Sequence, residues 1–322
     1  MPYYWQIQGL TAAPVVFAIA GASSRALKST DGVTYVAETL PNANTFISVC
    51  WSPYREIFCA VGNNTDLSGH CVLTSQDGIT WSQQTDVMHF NTDVCWSPAL
   101  KLFCAVSTGV GIQTSPDAVT WTFQVTGDYS SVCWSPQLGV FCATGSGATH
   151  TSISSTSLDG ITWTDHSGAT LNFNRVCWSP ALGLFCAVGQ DGLGVGIVYT
   201  SPDGATWTSR TPSSSVTKWA AVCWSPEAGM FCAVGNSTVS STDYIMTSAD
   251  GATWTARATG VASNLQGVCW SSEKLLFVAV GTSAIGAGSN FIFTSKDGIT
   301  WNHQATPSSL NYGVGVAVSG SF

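Results

Sequence analysis

Short apolar runs recur along the chain, each bounded by Gly, Pro, Ser or Asp, and none develops a helical period. "FAIAG" at 17 is followed by "FCAVG" at 58, "FCAVS" at 103, "FCATG" at 141, "FCAVG" at 185 and 231, and "FVAVG" at 277. Ahead of most stands "VCWS"; behind each comes a run ending in "TS" or once "KS", a polar "DG" or once "DA" turn and a run opening on "TW" or "TY". Alternation with Gly and Pro punctuation predicts strands and tight turns throughout. Each unit therefore predicts a strand "VCWS", a turn, a strand "FCAVG", a variable loop, a strand ending in "TS", a "DG" turn and a strand "TWT".

The turn element is the most regular. It reads "STDGVTY" at 29–35, "SQDGITW" at 75–81, "SPDAVTW" at 115–121, "SLDGITW" at 157–163, "SPDGATW" at 201–207, "SADGATW" at 248–254 and "SKDGITW" at 295–301. Seven copies lie 40 to 47 residues apart. Four antiparallel strands per unit of that length is the dimension of a propeller blade. The expectation is an all-β, seven-bladed β-propeller of four-stranded antiparallel blades, one domain over 1–322. Eight segments compete for seven inner places, because "WQIQGLT" at 5–11 and "YGVGVAVSG" at 312–320 both align as first strands. Terminal strand exchange is therefore expected to close the ring, with the C-terminal run as the inner strand beside "FAIAG".

The "S-x-D-G-x-T-W" element resembles the Asp-box (BNR) repeat of sialidase-like and related propellers, over nearly the whole chain. At Asp31, Asp77, Asp117, Asp159, Asp203, Asp250 and Asp297 the carboxylate can accept backbone N–H bonds across the turn. Gly supplies a positive φ, and the Trp packs between blades. These aspartates are read as structural. Ala118 departs from the pattern, at a cost of about 1 kcal/mol if its turn keeps a positive φ.

"CWSPALGLFC" at 177–186 sets two cysteines nine positions apart, and the same frame begins at 50, 95, 133 and 223. A sixth copy reads "CWSSEKLLFV", with Val278 in place of the second cysteine, and the first unit has Ala18 there. Val and Ala substitute for a small buried hydrophobe, not for a disulfide half or a zinc ligand. The frame lacks both a histidine and a four-ligand set. Core thiols are the expectation; a cross-strand disulfide stays geometrically open. No metal or cofactor is expected.

Charged residues make up only 9 % of the chain and the net charge is −8, which argues against nucleic acid. No long apolar run predicts membrane insertion, and "MPYYWQIQGL" lacks the pattern of a secretory signal. Both constant turns join strands 1→2 and 3→4 and so share one end of the blades. The variable loops share the other, where recognition is expected. Twelve of the fourteen tryptophans sit in the repeated frames; Trp5 and Trp219 do not. Phe46, Tyr129, Phe173, Trp219 and Leu265 each stand four residues before a frame cysteine, with Phe90 five before Cys95. This near-ring has two readings: hydrophobic plugs, or stacking platforms for sugar rings beside Asp128, Asn172 and Lys218. Trp219, with Lys218, Tyr129, Asp128, Phe173 and Asn172, is the candidate ligand-binding set.

A sialidase-like glycoside hydrolase would need an arginine cluster, an activated tyrosine and an acid. Arg25, Arg175, Arg210 and Arg257 could meet part of that demand. The glutamates do not, since Glu56, Glu227 and Glu273 fall in the constant turns. No catalytic set is legible, and the chain is read as non-enzymatic. The style "WSPALGLFCAVG…TSPDGATWT" also resembles propeller repeats of bacteriophage tail and virion proteins and related bacterial surface proteins. That resemblance implies a virion or extracellular location and an adhesin or receptor-binding role. The partners expected are a host-surface glycan or receptor and other virion or assembly proteins, with homo-oligomerisation an option. The alternative is a purely structural subunit that binds no sugar.

Overall fold

The structure is a computed structural model that describes residues 17–21, 25–41, 44–63, 71–85, 88, 90–145, 152–168, 171–213, 218–236, 244–261, 263–283, 290–305 and 313–318. Its strands form seven four-stranded antiparallel sheets, and together they make a β-propeller. In chain order we number them I to VII. Sheet II spans 45–84, III 93–126, IV 129–167, V 172–210, VI 218–257 and VII 263–304. Sheet V shows the common plan, with strands Asn172–Ser179, Leu184–Gln190, Gly196–Ser201 and Thr208–Arg210 paired in that order. Sheet I is assembled from both ends of the chain. Gly313–Val318 is its first strand and pairs antiparallel with Phe17–Gly21, opposing Val316 to Ile19. The N-terminal candidate at 5–11 lies outside the described residues. First strands of successive sheets touch in cyclic order, and that of sheet I meets those of both VII and II.

The sequence frames explain the two turns at one end of sheets II to VII, of which sheet I has only the second. In "WSP" the serine hydroxyl accepts the backbone N–H three residues on, as at Ser52 from Arg55 and Ser179 from Leu182, both at 3.2 Å. The turn's last residue takes a positive φ. Glycine supplies it at Gly139, Gly183 and Gly229, but Glu56, Lys101 and Leu275 adopt it with a Cβ. In the "DG" turn the serine hydroxyl bridges, donating to the aspartate and accepting the glycine N–H, as Ser201 does at 2.9 and 2.8 Å. Oδ1 of the aspartate also accepts the next two backbone N–H groups but one, Ala205 at 2.8 Å and Thr206 at 2.7 Å in sheet V. The tryptophan closes the motif by donating Nε1–H to the turn carbonyl, Trp207 to Gly204 at 3.2 Å. Every one of the seven copies keeps the serine, the aspartate and the two amide bonds. Tyr35 substitutes its hydroxyl for the indole, and Ala118 holds φ at 60°.

Packing runs between sheets. Second-strand cysteines are fully buried among residues of the neighbouring sheet: Cys104 clusters with Tyr129, Val132 and Phe141, and Cys186 with Trp219, Val222 and Phe231. All twelve cysteines are free thiols. The frame pairs do oppose one another directly, Cys177 with Cys186 and Cys269 with Val278. Burial pushes their pKa values up, in Cys269 to about 12. The threonine of "TS" has its own partner on the outermost strand ten residues later. Gln84, Gln124 and Gln304 donate to Thr74, Thr114 and Thr294 at 2.7–2.9 Å, and Arg210 and Arg257 to Thr200 and Thr247 at 2.9 and 3.0 Å.

The turn carboxylates make the fold acid-sensitive. Asp250 is held at about 2 by the N–H groups of Thr253 and Ala252. In Asp31 burial pushes upward, yet the bonds from Thr34 and Val33 still bring it to about 2. The other five are lowered as well. These folded values lie below the unfolded value of about 3.9. For Asp31 and Asp250 this stabilisation is complete above about pH 4 and is lost as pH falls through about 2; the other five act in the same direction. Denaturant midpoints measured across this range should stay level down to about pH 4 and then drop, with a shallower drop in Asp250→Asn.

Candidate binding faces and the central channel

Five of the first strands, those of sheets II and IV to VII, carry a bulge beside the residue four before the frame cysteine. The register shifts between Phe46 and Ser48, Tyr129 and Ser131, Phe173 and Arg175, Trp219 and Ala221, and Leu265 and Gly267. Opposite the bulge lies the glycine that ends "FCAVG". At Gly189 a Cβ would fall 2.0 Å from the carbonyl oxygen of Asn172, so no larger residue fits. The bulge turns the aromatic side chain into the contact with the preceding sheet. Trp219 is 0 % exposed, packed with Val188, Val198 and Phe231, and Phe46, Tyr129, Phe173 and Leu265 are buried in the same way.

Of the two readings of this near-ring, burial favours the hydrophobic plugs over the stacking platforms. Trp219, Tyr129 and Phe173 are inter-sheet plugs that offer no ring face to a sugar. Their companions are committed too. Asp128 is buried and accepts the N–H of Gly109 at 3.2 Å, fixing a neighbouring turn. Lys218 and Asn172 begin their first strands half-buried, opposite Asn236 and Gln190. Burial lowers the Lys218 pKa. Tyr129 shares Ser155 and Asp165, at 3.1 and 3.4 Å, and burial ahead of the nearby carboxylate pushes its phenol up to about 12.

Most of the residues two before a frame cysteine face the central channel. Ser48, Asp93 and Arg175 form a polar arc, with Ser131 buried against Asp93, and Ala221 and Gly267 continue the ring with almost no side chain. Asp93, 4 % exposed, joins four sheets. It accepts from Ser48 of sheet II at 2.6 Å, from Ser131 and Val132 N–H of sheet IV at 2.5 and 3.0 Å, and pairs with Arg175 of sheet V. Next to this arc, Thr92 and Asn174 donate to the carbonyls of Tyr129 and Trp219 in the following sheets at 3.0 and 2.8 Å, and Ser130 does the same to Phe173. The arginines named from sequence do not converge. Arg175 is paired in the channel, Arg210 and Arg257 lie on outermost strands, and the Arg25 side chain lies outside the description. No group of three or more His, Cys, Asp or Glu side chains able to hold a metal occurs among the described residues.

At the loop end, much of the variable sequence (64–70, 146–151, 214–217, 237–243, 284–289 and 306–312) lies outside the described residues. The loop of sheet V is described. Asp191 accepts the N–H groups of Leu193 and Val195 at 2.9 and 2.8 Å and donates its own to the Val195 carbonyl. Leu193 is thereby held out on an ordered turn, 90 % exposed. Sequence reading missed it, although an apolar residue in "QDGLGVG" is the visible signal.

At the opposite mouth a cavity of about 390 Å³ is walled by Trp51, Trp96, Trp134, Trp224 and Trp270. Around it each tryptophan reaches toward the turn of the preceding sheet. Trp178 Nε1 donates to Gln137 and Trp270 Nε1 to Glu227, both at 2.6 Å. Where that turn position is Ala99, Ala181 or Tyr54, the indole N–H of Trp134, Trp224 or Trp96 is buried without a partner.

No known protein family matches this sequence, nor does any curated protein. Solved structures share the fold. The chain is similar to a protein from Lactobacillus plantarum, at 12 % identity and TM-score 0.68, over 95 % of this chain and 99 % of that one. It is similar also to a functionally unknown protein from Desulfotomaculum acetoxidans, at 9 % identity and TM-score 0.67, over 94 % and 98 %. A chain from a nidogen/laminin complex matches at 10 % identity and TM-score 0.53, over 72 % and 88 %. Identities this low carry the fold alone.

Substitutions at two positions check these roles. Trp219→Ala should cost about 3–5 kcal/mol of stability as a cavity mutation. Trp219→Phe should cost far less, because Phe serves at 46 and 173 and the indole N–H has no partner to lose. Denaturant unfolding measures both. Ala181→Gln should give Trp224 the acceptor that Trp178 already has and stabilise by about 1 kcal/mol, whereas Ala181→Leu should not.

Proposed function

We propose that this protein is a non-enzymatic receptor-binding or adhesin propeller of a phage-like virion or tail, contacting surface glycans through its variable loop end. We take the seven sheets as seven blades of one ring, closed by the C-terminal strand, with Asp-box turns. The observation that carries the reading is the polarity of the repeat. One end of sheets II to VII is built from the same two hydrogen-bonded turns, and sheet I keeps the second of them, while the other end carries loops that differ from sheet to sheet. A rigid frame that varies at one end suits selective surface recognition. Asp191 supports the reading by presenting Leu193 and Val195 on an ordered turn. The competing reading is a structural subunit of an assembly, favoured by the apolar side chains exposed at the constant end.

A glycan array probed with the purified chain tests this. Retention of a defined set of glycans is expected, weakened by replacing 191–195 with a Gly-Ser loop at unchanged melting temperature. Absence of glycan binding together with self-assembly would instead support the structural subunit.

A further inference from the structure

The constant turns form a continuous surface. Arg55 Nε of sheet II donates to Pro116 O of sheet III at 3.1 Å, and Gln137 Nε2 of sheet IV to Pro180 O of sheet V at 3.4 Å. Two rings of apolar side chains stand on it. Val33, Ile79, Val119, Ile161 and Ile299, each directly after a "DG" or "DA" pair, form the outer ring. Tyr54, Leu100, Leu138, Leu182 and Leu275 of the "WSP" turns form the inner one, around the tryptophan-walled mouth. With Leu158, they make eleven of the seventeen large apolar side chains exposed among the described residues, so the apolar surface is concentrated at this end. Soluble proteins rarely leave so large a set uncovered unless something docks there.

Charge narrows what that is. The seven turn aspartates, with Glu56, Glu227 and Glu273, place ten acids in these turns against four bases, Arg55, Lys101, Lys274 and Lys296. Most of the chain's net −8 therefore sits here. The backbone bonds of these turns hold each aspartate through Oδ1 and so keep its charge at the turn's exposed surface. A second copy of the face, or an anionic bilayer, would set like charges together. A surface of lysine or arginine around aliphatic side chains matches both rings and the acids between them.

We propose that the constant-turn end is a docking face for a protein partner whose contact surface combines basic and aliphatic side chains, with an apolar side chain entering the mouth between Trp96, Trp134, Trp224 and Trp270. This assignment is independent of what the variable loops bind. It gives the molecule two opposed working ends, one for mounting and one for recognition.

Titration calorimetry of the full chain with three synthetic peptides tests it: amphipathic Leu/Lys, amphipathic Leu/Glu, and Lys/Ser. Only Leu/Lys should bind, and raising salt well past the physiological range should weaken it about tenfold. Ile79→Ser/Ile161→Ser/Ile299→Ser should also weaken binding about tenfold, and Glu56→Gln/Glu273→Gln several-fold. Leu193→Ser at the far end should change nothing, and melting curves should show each variant folded. Equal binding of the Leu/Glu peptide, failure of Leu/Lys to bind, or binding indifferent to the triple serine variant would overturn the proposal. So would a dimer in sedimentation that the triple variant dissolves, since the occupant would then be a second copy.

Discussion

Neighbouring sheets meet through the space left by a missing Cβ. At Gly204 that atom would lie 3.0 Å from Thr156 Cγ2 and 3.2 Å from Cys142 Sγ; at Gly160 it would lie 2.7 Å from Leu102 Cδ2, and at Gly298 2.9 Å from Met230 Sδ. Every one of those atoms belongs to the preceding sheet. The glycine thus serves two constraints with one residue: the left-handed φ that the turn needs, and the close approach that lets one sheet's turn seat on another's face. Cys142 fits there as a small, soft side chain, which is why the second frame cysteine is interchangeable with Val278. Ala118 is the exception, a buried methyl at φ 60°.

Around that repeated contact, the departures from regularity between sheets are chemically specific. The channel ring is polar on one arc and nearly bare on the other. An ion pair links sheets III and V past the intervening sheet, so Asp93 and Arg175 tie together strands that do not hydrogen-bond directly. A carboxylate this buried needs such company: two serine hydroxyls, two backbone amides and a guanidinium satisfy it. The tryptophan mouth departs differently, through turn residues. Gln137 and Glu227 accept an indole N–H, while Ala99 and Ala181 leave one unmet. An unmet donor in a cup that opens on an apolar, acidic surface is consistent with an end built to be covered.

The two ends of the sheets divide the chemistry. Strand order puts both short turns together, and their sequences are constrained because hydrogen bonds occupy nearly every polar atom in them. What stays free in such a turn is the side chain after the glycine, or after Ala118 in sheet III, and in five sheets it is Val or Ile, exposed. The long connections carry no comparable constraint, and there the loops diverge.

Much of this was legible in the amino-acid sequence because it rests on contacts within a few residues. The strands, the serine-capped "WSP" turn, the aspartate acceptor of the "DG" turn and the inner place of the C-terminal strand follow from local pattern and repetition. The thiol character of the cysteine frame follows as well, since Val278 stands where a partner would. What tertiary structure alone decided depends on which way a side chain turns and what lies across the channel. A single-residue bulge before Ala221 rotates Trp219 out of the strict alternation and into the neighbouring sheet, so an indole that spacing placed near the loops is fully buried. Asp93 and Arg175 are far apart in sequence and belong to different sheets, and only closure of the propeller brings them together. Local pattern encodes turns and strands because their hydrogen bonds span three or four residues; burial and pairing across sheets depend on the register and curvature of the whole ring.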